Sequence, residues 1–328
     1  MTVKPTTTRS AATGQTAAAG NQSVLVLLAV VVLFGMTWPV IKLGLDGGAT
    51  PLWFAVGRAG FSTLASFLML LVLGRLSLPP RADLPIVVSV GVLQLMAFFA
   101  LINLGLRHVP AGRSAVLAYT TTLWLAPLSA VVGEHIGLKR GIGILVGFAG
   151  VAAMINPLAI DWSDRDVLWG HGVLLLAALS WALAIFHSRR HRWQAAPLDL
   201  LPWQMLLATA LLAILAAWAE PKGRVGLHGT ALPCLLFLGV VAGPLGSWAA
   251  LTAQRALPLV VSSLGFLGVP VVGIAASLLW LGETLTPSLI AGSALIIGGL
   301  AIVTLSARPT AVKSVETATA TASPVDRS

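Results

Sequence analysis

Ten runs of about twenty apolar residues, separated by short polar connections, constrain this chain more than any other feature. They cover 24–44, 52–74, 85–106, 110–132, 141–157, 170–188, 200–219, 230–253, 259–281 and 286–306. A helix of about 20 apolar residues spans a bilayer, and only helices or closed barrels satisfy their backbone groups there. The chain carries 57% hydrophobic and 9% charged residues, against roughly a quarter charged in a soluble domain. It has too little charge to cover a globule in water. The expected fold is an all-α polytopic membrane protein.

The runs repeat. Gly91–Trp124 lies over Gly239–Val271 without a gap, placing Arg107 on Arg255, Pro110 on Pro258 and Ser114 on Ser262, each pair 148 positions apart. Trp38 answers Trp181, Arg58 answers Gln204, Gly133-Glu134 answers Gly282-Glu283, and Gly143 and Gly150 answer Gly292 and Gly299. Each half then holds five spans, an odd number, so the second half enters the membrane with opposite polarity. The expectation is ten transmembrane helices as two inverted five-helix repeats, a design of secondary transporters with a midplane site between the halves. The boundaries read as a disordered cytoplasmic tail (1–23), a first repeat (24–157), an external linker (158–169), a second repeat (170–306) and a second disordered cytoplasmic tail (307–328).

Lys and Arg set the orientation. With the N-terminus inside, cytoplasmic segments hold 13 basic residues and the opposite side 6, which places both termini in the cytoplasm of a bacterial-type inner membrane. The net charge of +9 suits anionic headgroups; the basic residues are scattered between apolar runs, so nucleic acid is not an expected partner. The single Cys234 excludes a disulfide framework or a thiolate metal site. No cofactor or metal is expected, and nothing in the sequence separates a monomer from a homodimer.

Polar and bulky residues at mid-span are the candidates for solute contact. Arg58 lies seven residues past Pro51. An Arg in hydrocarbon costs at least about 2.5–3.5 kcal/mol, so it is either a clamp for a substrate carboxylate or a side chain that snorkels outward or pairs with a carbonyl or Asp46. Gln94 and Phe98 share a face of the third span at i, i+4, suited to a small zwitterion or to interhelical packing. Tyr119 is the only Tyr and begins the hydroxyl run Thr120, Thr121, Thr122. Trp38 and Trp181 are repeat mates at mid-depth, able to wall a cavity or fill space between helices. Gln204, mate of Arg58, completes the set. Asn103, Trp203, Ser247 and Trp248 are weaker candidates.

Other residues read structurally. Glu134 and Glu283 end spans, where they cap the following helix or stay solvated. The paired glycines, seven residues apart, suit close helix packing, while Pro110 and Pro270 are candidate hinges or gates. No Asp or Glu lies deep in a span and His135 and His187 lie at span ends, so uncoupled or weakly coupled passage of a neutral or zwitterionic solute is expected. A membrane enzyme needs acid, base or metal ligands converging at an interface, and His and Asp are too dispersed for one.

FGMTWPVIKLG, PLWFAVGR, YTTTLW with GEHIG, LSWALA, LPWQML, GVPVVGIAASLLWLGE and GSALIIGGLAIV together resemble the drug/metabolite transporter superfamily, EamA type, over residues 24–306. The resemblance implies a ten-helix bundle exporting amino acids or other small metabolites by alternating access from a central cavity. Nucleotide-sugar or drug transport is the alternative within the superfamily. The family commonly carries Pro in the fourth span where this chain has Thr122; Pro127, five residues on, predicts a displaced kink.

Overall fold

The computed structural model describes residues 9–133, 137–155 and 164–306. The expectations for 1–8, Glu134, His135, most of the linker and 307–328 concern residues outside these. Within the described residues are ten helices long and apolar enough to cross a membrane. They are α1 (Arg9–Asp46), α2 (Pro51–Val72), α3 (Arg81–Leu106), α4 (Ala111–Ala118 and Thr121–Val131) and α5 (Leu138–Ile155). The second half gives α6 (Arg165–Arg190), α7 (Pro197–Ala219), α8 (Ala231–Ala256), α9 (Leu259–Phe266 and Gly268–Leu281) and α10 (Pro287–Leu305). Leu64, Leu71, Ile142, Leu145, Ile214 and Leu279 are exposed, as side chains facing acyl chains are.

Two boundaries differ most from expectation. Residues 9–23, read as disordered, continue α1 as helix; Ala11, Ala12 and Ala17–Ala19 favour helix strongly, and extending a formed helix avoids a new nucleation step. The apolar span itself begins at Gln22. α6 starts at Arg165 rather than at 170, because Asp164 accepts hydrogen bonds from the Asp166 and Val167 N–H groups and caps it.

The two halves interlock. α1 packs against α8 and α9 of the other half, and its mate α6 packs against α3 and α4. The pseudo-two-fold is visible in atoms: Thr63 and Thr209, mates in α2 and α7, share a hydroxyl–hydroxyl hydrogen bond of 2.9 Å. α5 and α10 pair away from the rest of that axis. A β-carbon at Gly143 would sit 2.9 Å from the Gly299 carbonyl, and one at Gly150 would sit 2.8 Å from the Gly292 carbonyl. Only glycine permits this approach, as in small-residue membrane interfaces.

Four spans are irregular, in matching places. α3 widens to π-helix at Val90–Ala97 and α8 at Phe237–Leu245. π-bulges free carbonyls from the regular ladder, and neighbouring helices use them: Ser180 Oγ donates to Leu93 O and Ser62 Oγ to Gly239 O, each at 2.7 Å. The widened turns also press glycine onto the facing helix. Gly239 lies against the Arg58 carbonyl and its mate Gly91 against the carbonyl of Gln204, mate of Arg58.

α4 breaks at Tyr119–Thr120 and α9 at Leu267. In α4 the Thr120 and Thr121 hydroxyls donate to the Leu117 and Ala118 carbonyls, at 2.6 and 2.8 Å; such back-bonding bends helices. In α9 Pro270 lacks the N–H that would continue the ladder. Pro127 itself lies inside the helical stretch Thr121–Val131, C-terminal to this break. Threonine chemistry keeps the break opposite its mate.

Candidate functional site

Eight helices, α1–α4 and α6–α9, surround one cavity of about 720 Å³. It begins at Ser188, Trp193, Pro197 and Gln254, beside Arg189, Arg190, Arg192 and Arg255, and this end is called the basic face below. It ends at mid-depth on Trp38, Arg58 and Phe99. Beyond that floor the bundle is packed. Ile41, Phe54, Ile102, Leu106 and Ala111 are each at most 1% exposed, and Phe54 fills the notch at Gly44. The cavity therefore reaches one face only.

All eight residues proposed from the sequence as solute contacts line this cavity: Trp38, Arg58, Gln94, Phe98, Tyr119, Thr122, Trp181 and Gln204. Gln94 sits within the π segment of α3, and Tyr119 at the break in α4. Trp181 meets Phe98 edge-on, ring centroids 4.4 Å apart. Asn103 is not in the lining; it is fully buried and its Nδ2 donates to the Pro51 carbonyl at 3.2 Å, a helix-to-helix tie. Trp203 donates to the Ser77 carbonyl instead, and Trp248 is half exposed on the outside of α8.

Arg58 does not snorkel outward. Its guanidinium carbon lies 4.0 Å from the centroid of the Phe99 ring, a cation–π contact. Its Nε and Nη1 are buried without a hydrogen-bond partner among the described residues. Asp46, the sequence's alternative partner, is 3.7 Å from Lys42 Nζ instead. A buried cation with free donors is costly unless something pairs with it. A planar fork with free N–H groups facing a cavity suits an oxyanion.

Several lining residues escaped the sequence reading. Phe34, Thr37, Phe99, Met205, Ala242, Gly243, Ala250, Gln254 and Phe266 all face the cavity, and Ser247 was only a weak candidate. Phe99 was detectable, being one residue from Phe98. The α8 wall left no signal, because Ala242, Gly243 and Ala250 shape the space by lacking side-chain volume.

The opposite face is closed by polar ties. Glu283, after α9, accepts hydrogen bonds from the first backbone N–H groups of α4: Ala111 N, and Gly112 N at 3.0 Å. Glu283 was expected to cap the following helix or to stay solvated; it caps a helix of the other half instead, while Thr286 Oγ1 accepts from Leu289 N at the start of α10. Lys42 Nζ donates to the Leu106 carbonyl at 3.1 Å. Pro110 is the residue preceding α4, next to this cap, and Pro270 follows the break in α9.

The sequence profile of the EamA-like transporter family matches this chain twice, over residues 21–156 and 168–305. The chain belongs to the EamA-like transporter family. It is 31% identical over 291 residues to a "Probable amino-acid metabolite efflux pump" of Salmonella typhimurium, covering 84% of this chain and 92% of the relative. A "Probable terminal-alkyne amino-acid exporter" of Streptantibioticus cattleyicolor is 28% identical, covering 86% and 93%. A Bacillus subtilis protein called only an uncharacterised transporter is also 28% identical, covering 86% and 92%. A solved crystal structure superposes with a TM-score of 0.61 at 19% identity, covering 87% of this chain and 97% of its own; it supports the fold alone. Like other members of the EamA-like family, this chain is a multi-pass membrane transporter and not an enzyme.

Proposed function

We propose that this transporter exports small carboxylated metabolites of the amino-acid type by alternating access. The carrying observation is Arg58: a buried guanidinium with free donors on the floor of a cavity that reaches only the basic face. That face bears most of the Lys and Arg, and the positive-inside bias makes it cytoplasmic, with both termini on the same side of a bacterial-type inner membrane. The structure is then the loading state. The solute enters from the cytoplasm, its carboxylate meets Arg58 and its apolar part lies among Trp38, Phe98 and Trp181. Rocking of the interlocked repeats exposes it to the other side. Relatives named for amino-acid metabolite efflux and amino-acid export agree with this substrate class.

The test is counterflow in proteoliposomes with a panel of aromatic and aliphatic amino acids and their N-acylated and deaminated derivatives. Saturable, protein-dependent exchange without chemical change is expected. Arg58→Ala should lower kcat/KM for carboxylates about 10- to 100-fold, the effect of losing charged hydrogen bonds worth about 1.5–3 kcal/mol. Unchanged exchange in a folded Arg58→Ala protein would remove the clamp; absence of exchange for every solute would remove the function.

A further inference from the structure

Concentrative transport needs a driving force, and one way to supply it is an intramembrane carboxylate that trades a proton for the solute. The structure allows a census. Seven Asp and Glu residues lie among the described residues, and each is already engaged. Asp46 is paired with Lys42 and Asp199 with Arg75. Asp83 accepts from His191 and from the Gln194 and Ala195 N–H groups. Asp164 caps its own helix, and Asp166 lies 3.9 Å from His108. Glu220 accepts from the Leu52 N–H at the start of α2, and Glu283 caps α4.

None of the seven lines the cavity, whose only titratable residues among those described are Arg58 and Tyr119. Two consequences follow. First, the cavity holds a fixed positive charge with no described counter-charge, so a solute that neutralises it is favoured and one bringing an ammonium group is repelled. A zwitterion would leave its ammonium a few ångströms from a guanidinium, stripped of part of its hydration and facing amides, hydroxyls and rings. Second, among the described residues the cavity offers no carboxylate to carry a proton back. His187 and His191, at the basic-face end of α6, bond to Ser89 and Asp83 and are not among the lining residues.

We infer that the preferred solute is a monoanion, an aromatic or acylated carboxylate without a free ammonium group, carried with no coupling ion and driven outward by the membrane potential. This rests on the transporter reading above and departs from the neutral or zwitterionic solute that the sequence suggests. An inside-negative potential pushes an anion out of the cell. At about 2.3 kcal/mol per charge per 100 mV, a monoanion distributes about tenfold for each 60 mV. An uncoupled carrier therefore suffices for concentrative export of an anion, whereas it would only equilibrate a zwitterion.

The experiment uses proteoliposomes of the full chain, valinomycin and graded potassium gradients, with three probes of similar shape. N-acetyl-L-phenylalanine is anionic, L-phenylalanine zwitterionic and L-phenylalaninamide cationic. The expected result is that N-acetyl-L-phenylalanine gathers in the positive compartment about tenfold per 60 mV, whichever way the protein is inserted. Its kcat/KM should exceed that of L-phenylalanine by at least about tenfold, and a pH gradient imposed at zero potential should produce no accumulation. L-Phenylalanine moving as fast as the anion, or anion accumulation that follows the pH gradient, would overturn the inference while leaving the transporter reading intact. No protein-dependent flux of any probe would instead strike that earlier reading. Arg58→Gln supplies a second readout: in protein recovered folded, the preference for the anion over L-phenylalanine should fall below about twofold, and a retained preference would refute the role given to Arg58.

Discussion

Glu283 supplies the sharpest test of how the closed face is held. Its carboxylate accepts from the first two N–H groups of α4, at Ala111 and Gly112. Ala111 is fully buried, so in this state water does not replace the cap. A helix begins with N–H groups that have no partner within the helix, and leaving a buried donor unpaired costs about 1–3 kcal/mol. When the face opens, water reaches those donors and the cost vanishes. Glu283→Ala should therefore destabilise the closed state relative to the open one by about 2 kcal/mol, a shift of roughly 30-fold in population. The assay is labelling by a membrane-impermeant maleimide at Val109→Cys, a site now 1% exposed at the α3–α4 turn, with Cys234 replaced by Ala. Glu283→Ala should raise the labelling rate more than tenfold, and Glu283→Gln, which keeps one acceptor oxygen, should raise it less. A lowered melting temperature with unchanged labelling would refute the reasoning, because the cap would then hold the fold and not the state.

Two further outcomes follow from other contacts. Tyr119→Ala removes a ring from the cavity wall at the α4 break; exchange kinetics should show altered preference among solutes with unchanged membrane expression. Gly150→Val places a β-carbon within 2.8 Å of the Gly292 carbonyl, so the α5–α10 pair must separate. Overpacking of this kind costs about 1–3 kcal/mol, visible as a lower melting temperature in detergent, with little change in KM because no residue of either helix lines the cavity.

The bundle and most of the floor of its cavity were legible in the sequence for one reason. In lipid a mid-span Arg, Gln, Tyr or Trp has few tolerable positions, so Arg58, Gln94, Tyr119 and Trp181 betray an interior surface by their chemistry. The α8 wall was illegible for the complementary reason. Ala242 and Gly243 line the cavity, yet they resemble the packing residues Gly292 and Gly299 in everything a sequence displays. The π segments escaped because nothing in VGVLQLMA departs from an apolar α-helix. Glu283 was read as a cap of the following helix or a solvated end, and its actual role was hidden because its partners lie 171 and 172 residues away in the other repeat. The break in α4 at Tyr119–Thr120 was not foreseen because kinks were assigned to proline alone, whereas Thr120 and Thr121 bond there to carbonyls of their own helix.

Inverted repeats imply two end states of related geometry, and the residues at the two ends explain why the basic face stands open. On the closed face α4 and α9 meet through small side chains. A β-carbon on Gly112 would lie 3.3 Å from the Ile274 Cα, and one on Gly273 would lie 3.0 Å from the Ala115 Cβ. For the Gly273–Ala115 contact the repeat mates, 148 positions away, are Leu125 and Ser263; the Gly112–Ile274 contact has Val260 and Ala126, one larger and one smaller. Leu125 and Ser263 are both larger than their mates, so the same close approach at the basic face would need room that these two side chains occupy. Membrane helices associate largely through close packing, because lipid tails are as apolar as Leu. The end with glycine and alanine therefore seals more tightly. Glu283 adds to the same bias, since its hydrogen bonds to α4 form only when that end is shut. The resting cavity thus faces the basic side through the unequal sizes of mated residues, without any bound solute being needed to set it.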